Sequence, residues 1–421
     1  MGYNTAVSGL DAAQTDLNTI GNNIANVNTV GFKESNAQFG DLYAASLAGA
    51  AGSSTTPGIG VSTVDLSQSF TQGNVQTTGN PLDMAINGGG FFIVNNNGTM
   101  DYTRNGQFHV AANGTLENNG NLPIQGFQPV AGSTGSNGKF STILSNLTIN
   151  EAAMPPQATT QANLVANLNA NDPAINTATT PFSPTNSASY NSSTTMQVYD
   201  SLGNPQDVTL YFVQASGTGS ANQPNQWDVY YNASNGSGST VSSGALTTLT
   251  FSNSGQLVSG AASTINVPAW GDGSASGSIG VNLSGTTLTN ASFAVTSENI
   301  NGYAPGTYSA ISVQSNGTID ANYTNGQSKA IGKVALANFA NLQGLSPVSG
   351  NLWSATAAAG NPLVNAPGTA GLGVIQSGAV EASNVGLSSQ LVDMIVAQQA
   401  YQANTSTIKT QQQDTQSLLQ L

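Results

Sequence analysis

The chain carries one histidine, no cysteine, six cationic and 19 acidic side chains. Nucleophilic catalysis needs a hydroxyl or thiol with a base beside it, and one histidine gives such an arrangement little to build on. His109 stands between Phe108 and Val110 in a strand-like run, and reads as a surface or satisfied histidine. Without cysteine, disulfides and thiolate metal sites are excluded. No two acids stand out as an adjacent pair at a strand end, so glycoside hydrolysis has no anchor. Gly88-Gly89-Gly90 lacks the Lys-Ser/Thr of a phosphate loop and precedes a strand, which fits close backbone packing at a sheet edge. The expectation is a protein that is not an enzyme, with no catalytic, metal or cofactor residues and no cofactor.

The cations are Lys33, Arg104, Lys139, Lys329, Lys333 and Lys409, too scattered for a phosphate-tracking patch, and the formal charge is −13. Nucleic acid is therefore excluded as a partner. Charged residues make up 6% of the chain, against roughly a quarter in ordinary soluble proteins. Neutral polar side chains with 48 glycines suit turn-rich β domains. No apolar run reaches the ~18 residues of a membrane span, so no membrane insertion is expected. The first lysine is Lys33, so a basic signal-peptide n-region is lacking, which leaves the cytoplasm, or the exterior by a route without a cleaved signal, as the candidate locations.

Two terminal stretches have helical spacing. Val385–Leu421 holds no proline and no glycine after Gly386, and steps of four and three pick out Leu387, Leu391, Met394, Gln398, Tyr401, Thr405, Ile408, Gln412, Thr415 and Leu419. At the other end, Val7, Leu10, Gln14, Leu17, Gly21 and Ile24 follow the same spacing beside a stripe of Ala6, Ala13, Ile20 and Val27. Asn22, Asn23, Asn26 and Asn28 then offer the local hydrogen bonds that end helices. Gln and Thr dilute the C-terminal seam, so the helix needs partners to cover it. One surface helix of an ordinary domain and a paired or assembled coil are both compatible with this pattern.

Between the helices the chain alternates strands and turns. A looser segment holds the alternating run Val61–Phe70, and Phe91–Val94 precedes an Asn95–Gly98 turn. Prolines 155, 156, 173, 181 and 184 lead into a more polar stretch of short strands, and the earlier style resumes near Ser312. The expected fold is mainly β with terminal α-helices, nested and multidomain: paired coiled-coil-like helices at 1–28 and 387–421, a connecting segment at 29–72 and 373–386, an inner β domain at 73–151 and 291–372, and an inserted outer β sandwich or barrel at 152–290.

Several stretches, in order, resemble the rod and hook axial-protein family of the bacterial flagellum, and its hook members most closely. They are Ser8-Gly9-Leu10, Gly21–Asn26, Gly31-Phe32-Lys33, Pro81–Ile86, Gly90-Phe91-Phe92, Tyr102–Gly106, Glu381–Val385 and Gln399–Asn404. The match covers residues 1–150 and 290–421 well and the insertion more loosely. The resemblance implies a structural subunit of the hook, polymerising into a curved hollow tube that passes torque from rod to filament while export substrates travel through it. It implies Val7, Leu10, Leu17, Ile24, Leu387, Leu391, Met394, Tyr401, Ile408 and Leu419 as assembly-helix positions. The implied partners are further copies of itself, the distal rod, hook cap and hook–filament junction proteins, and the flagellar type III export apparatus. The location it implies is the extracellular hook. The family's Phe-x-x-x-Phe export-gate signal is met by Phe39-Gly40-Asp41-Leu42-Tyr43, with tyrosine in the second aromatic place, and two core aromatics explain that pair equally well. A distal-rod protein is the nearest alternative, though the large insertion favours the hook. A secreted β-rich adhesin or carbohydrate-binding protein is the alternative from another class, and it leaves the paired terminal seams unexplained.

Overall fold

The stretches with three- and four-residue apolar spacing are helical: α1 spans Gly2–Ala25 and α2 spans Leu387–Leu419. The structure, a computed structural model, describes residues 2–43, 58–130, 139–214 and 225–419. The asparagine cluster ends α1 as the sequence predicts. Asn26 donates its backbone N–H to the carbonyl of Asn22, its carboxamide bonds the same carbonyl, and Thr29 bonds the Asn26 side chain. In α2, Thr405, Thr407, Thr410, Thr415 and Ser417 each turn their hydroxyl onto the carbonyl four residues back. Those hydroxyls are satisfied within the helix and need no outside partner, which lets α2 carry them on any face.

The chain forms two compact units. The first comprises Met1–Glu151, Ser309–Asn322 and Ser328–Leu421; the second comprises Ala152–Tyr308 and Tyr323–Gln327. In the first unit, β1 (Ser35–Tyr43) and β2 (Gly58–Gln68) form an antiparallel pair beside α1. Segments from before and after the insertion interleave in the same sheets: Phe91 and Phe92 pair with Ala337 and Leu336, and Phe127 pairs with Lys333. This pairing is the physical basis for the return of one strand-and-turn style after residue 290. An aromatic core locks the six-stranded sheet, with Phe91 edge-on to Trp353 at 5.6 Å and Tyr102 edge-on to Phe339 at 4.7 Å. Such pairs add about 0.5–1.5 kcal/mol each beyond area burial.

The second unit is a sandwich. An antiparallel sheet of Ser192–Tyr199, Pro205–Val213, Gln226–Ser234, Thr240–Phe251 and Leu257–Ser259 shares one core with a second sheet built around Gln161–Asn169. Trp227, Phe212 and Leu210 from the first sheet and Leu164, Leu168 and Ile265 from the second are fully buried there. Strict inward–outward alternation along 161–169 and 205–210 produces this, because successive strand side chains point to opposite faces. The unit extends past residue 290, where the sequence reading ended the insertion. Ala294–Ile300 pairs antiparallel with Gln161–Asn169, so residues 291–308 belong to the sandwich and not to the inner β domain. A polar, exposed edge strand has no apolar alternation to announce it.

Candidate functional site

The helix pair is built on small residues. Asn23 in α1 bonds Gln390 in α2, and Gly9 lies against Asn404, so the two helices run antiparallel. Along α1 the most buried positions are Ala6, Ala13, Ile20 and Asn23, while Val7, Leu10, Leu17 and Ile24 are half-buried beside them. A Cβ on Gly9 would sit 2.9 Å from the Asn404 carboxamide, which shows how closely the axes approach there.

On α2 the covered seam is Gln390, Met394, Ala397, Tyr401, Asn404, Ile408 and Gln411. Met394, Tyr401, Thr405 and Ile408 of the seam expected from sequence are covered, but Leu387 and Leu391 are exposed, as are Gln398, Gln412 and Thr415. The expected seam thus lies slightly to one side of the covered face, and Leu391, Val392, Ile395 and Val396 are exposed. Ala6, Gly9 and Ala13 at spacings of three and four were the available signal for the close face. The side chains of Leu419 and Tyr43 lie outside the described residues. Phe39 is 40% exposed on β1, so it is not a buried core aromatic within one chain.

At the base of the helices a chain of amide bonds joins four segments. Asn23 donates to Gln390 Oε1 at 3.0 Å and to the Ser35 carbonyl at 2.8 Å, and accepts from Ser35 N–H. Gln390 donates to Glu34 Oε1, and Asn384 accepts from Glu34 N–H while donating to the Ser69 carbonyl. Asn23 and Gln390 are 1% and 3% exposed, and each buried polar atom left without its partner would cost about 1–3 kcal/mol.

Beneath this network sits a buried charge cluster that sequence reasoning missed. Glu381 accepts from Lys33 Nζ at 2.6 Å on one oxygen and from Arg104 Nη1 at 3.1 Å on the other. Gly73 N–H also donates to Glu381. Lys33 donates further to the Thr71 carbonyl, Arg104 reaches the Gly88 carbonyl, and the Arg104 guanidinium lies over the Phe91 ring. Burial pushes the Lys33 and Arg104 pKa values down, and Glu381 opposes it by favouring their charged forms. Three of the stretches quoted above, Gly31–Lys33, Tyr102–Gly106 and Glu381–Val385, thus converge on one ion cluster. Nothing in their spacing along the chain indicates this, since 71 residues separate Lys33 from Arg104, and 277 and 348 separate Arg104 and Lys33 from Glu381. Chemically the cluster is a clasp: both cations bond one carboxylate and backbone carbonyls, with Arg104 Nε left without a partner, and it ties the entry and exit of the helix pair to the β domain.

Above the clasp, Asp16 of α1 and Glu34 both feel Asp393 of α2. Burial first, and the Asp393 carboxylate second, push both carboxyls above their usual values of 3.8 and 4.5. A folded chain that holds protons more firmly than the unfolded one loses stability as pH rises through the raised values. The penalty is therefore full at neutral pH, shrinks as pH falls through the raised values, and vanishes below 3.8 and 4.5. Amide exchange at residues 20–35 and 387–397, corrected for intrinsic rates, is expected to be slower near pH 4, close to the usual values, than at pH 7; equal or faster exchange would contradict this.

Four models of known families match separate parts of the chain: "Flagella basal body rod protein" at 4–33, "Flagellar hook protein FlgE/F/G D1 domain" at 85–165, "Flagellar basal body protein FlaE D2 domain" at 167–303, and "Flagellar basal body rod FlgEFG protein C-terminal" at 376–421. The flagellar hook protein FlgE of Salmonella typhimurium is 39% identical over 427 residues, covering 100% of both chains. That of Escherichia coli K12 is 40% identical over 429 residues with the same coverage. That of Borreliella burgdorferi is 31% identical over 452 residues, covering 99% of this chain and 98% of its own. The crystal structure of Helicobacter pylori flagellar hook protein FlgE2 shares the fold, with a TM-score of 0.55 at 14% identity over 72% of this chain and 99% of that one.

Proposed function

The chain belongs to the flagellar hook protein family, and from that premise we propose how its helix pair works as the assembly element of a hook subunit. The subunit polymerises into a hollow, curved tube through its terminal helices, and the tube passes torque outward while leaving a channel for export. The observation that carries this reading is the uncovered flank of α2, where Leu391, Val392, Ile395 and Val396 are 46%, 60%, 54% and 59% exposed. Four neighbouring aliphatic side chains in water on one helix face call for cover by another molecule. The seam toward α1 is itself half polar, so the pair is weak in a free subunit and gains order when copies bury it, which suits a chain that travels unfolded before it assembles. Contacts of this kind between unlike surfaces do not close, and so generate a helical filament.

The clasp at Glu381 supports torque transfer, because it fastens the helices to the β domain with charge-assisted bonds that are buried and little screened. Rod, cap and junction proteins and the type III export apparatus are the proposed partners, with passage to the exterior without a cleaved signal peptide. Phe39 and Tyr43 are the proposed export-gate pair, and the exposure of Phe39 leaves it accessible to a receptor. Full-length correspondence with hook proteins, sandwich unit included, favours the hook over the distal rod.

The test is polymerisation of the purified chain followed by electron microscopy. Full-length protein is expected to form curved tubes. A chain lacking residues 387–421 is expected to stay monomeric in sedimentation, and tubes formed by that truncated chain would overturn the assembly role of α2.

A further inference from the structure

A groove of about 280 Å³ opens between α1, β1 and the exposed flank of α2. Its walls are of two kinds. Phe39 and Val396 supply apolar surface, and Asp16 and Asp393 supply carboxylates. The aliphatic flank of Leu391, Val392 and Ile395 runs alongside on α2. The groove thus suits a long aliphatic stem ending in a cation, the shape of a lysine.

Among the described residues no cation lines it. Lys33 and Arg104 are consumed by Glu381 in the buried clasp, and Lys333 lies over the Phe140 ring. Residues 2–25 contain no lysine or arginine, and α2 contains one, Lys409, which is exposed. Lys409 stands 16 residues beyond Asp393 on the same helix, a separation of about 24 Å along the axis, so the two cannot meet within one chain. The Lys409 of one copy can therefore meet these carboxylates only in another copy.

We propose that the exposed flank of α2 with its acidic groove is the docking site for the C-terminal half of α2 from a second copy, whose Lys409 enters between Asp16 and Asp393. This deepens the filament reading and rests on it. Each copy offers one groove and one Lys409, at different heights on the helix, so the contact is heterologous and propagates without closing. It sets the two α2 helices parallel, with an axial stagger of about 24 Å. Burial first, and the Asp393 carboxylate second, raise the Asp16 carboxyl, which agrees with an acidic groove left without a cation in the free subunit.

The chain has no cysteine, which gives a clean test. A variant with both Asp393→Cys and Lys409→Cys, polymerised and then oxidised, is expected to run as a ladder of covalent oligomers beyond the dimer, whereas each single variant stops at monomer and dimer. Folding of each variant is checked by monomer helicity. In parallel, Lys409→Glu is expected to raise the critical concentration for polymerisation about tenfold, the effect of losing a desolvated charge pair of ~1.4 kcal/mol. Combining it with Asp393→Lys is expected to recover most of that loss. Tubes that form normally yet give no ladder, with Lys409→Glu indistinguishable from the parent, would overturn this contact and leave the filament reading standing. Failure of the unmodified chain to polymerise at all would overturn both.

Discussion

Replacing Glu381 with alanine is expected to cost the first unit about 3–5 kcal/mol, because it strands two buried cations. Lys33 and Glu381 side chains are fully buried and Arg104 is 5% exposed, so neither cation can turn to water without opening the structure. The Gly73 N–H loses its acceptor in the same step. The sandwich has its own core and does not share this cluster, so calorimetry of the variant should resolve two transitions. The one belonging to the first unit should fall by on the order of 10 °C, and the other should stay in place. Replacing all three charges together, as Lys33→Met, Glu381→Leu and Arg104→Met, should cost less than Glu381→Ala alone, since no unpaired charge remains. A variant with Glu381→Ala that melts like the parent would mean the cluster contributes nothing to the junction.

The second large effect is expected at Gly106. A Cβ built there would overlap the Met84 carbonyl oxygen and fall 2.7 Å from its carbon, and Met84 N–H is bonded to the Gly106 carbonyl at 2.8 Å. Both obstacles are backbone, held in place by the fully buried Met84 and Ile86 side chains, so no rotamer change relieves the overlap. Gly106→Ala should therefore cost at least about 3 kcal/mol and deplete the soluble, folded first unit. Gly9→Ala is the contrasting case. There the obstacle is the end of the Asn404 side chain, which can move, and alanine in a helix gains back up to about 1 kcal/mol over glycine. Urea denaturation should show Gly9→Ala near neutral and Gly106→Ala severely destabilised; equal effects would mean the backbone at Met84 yields.

Periodicity made both helices legible, because it is a local property: steps of three and four along residues 5–28 and 387–419 report one helix face whatever surrounds it. Turn chemistry made the strand-rich middle legible for the same reason, as at Asn95–Gly98, where Asn97 takes a positive φ of 51° and Gly98 one of 94°. The exact face of α2 that α1 covers was only partly legible, since Met394, Tyr401, Thr405 and Ile408 of the expected seam are covered and Leu387 and Leu391 are not. Leu391 and Ile395 score better than Ala397 and Asn404 on any apolar scale, yet the partner helix presents Ala6, Gly9 and Ala13, and small residues admit a close approach only where the facing side chains also fit. The extent of the sandwich was hidden too, since 294–300 is an exposed edge whose membership depends on the strand it pairs with.

The sequence by itself determined the class of protein: a chain with one histidine, no cysteine and scattered cations, helical at both ends and rich in strands between. Its terminal motifs carried the family resemblance. The tertiary structure alone decided what those motifs do together. Lys33, Arg104 and Glu381 become a clasp only because separate segments fold onto one buried point, where low solvent access makes a single carboxylate indispensable to two cations. The uncovered flank of α2 likewise becomes a docking face only once α1 has taken the other side, since which face of a helix stays exposed is settled by its neighbours and not by its own residues.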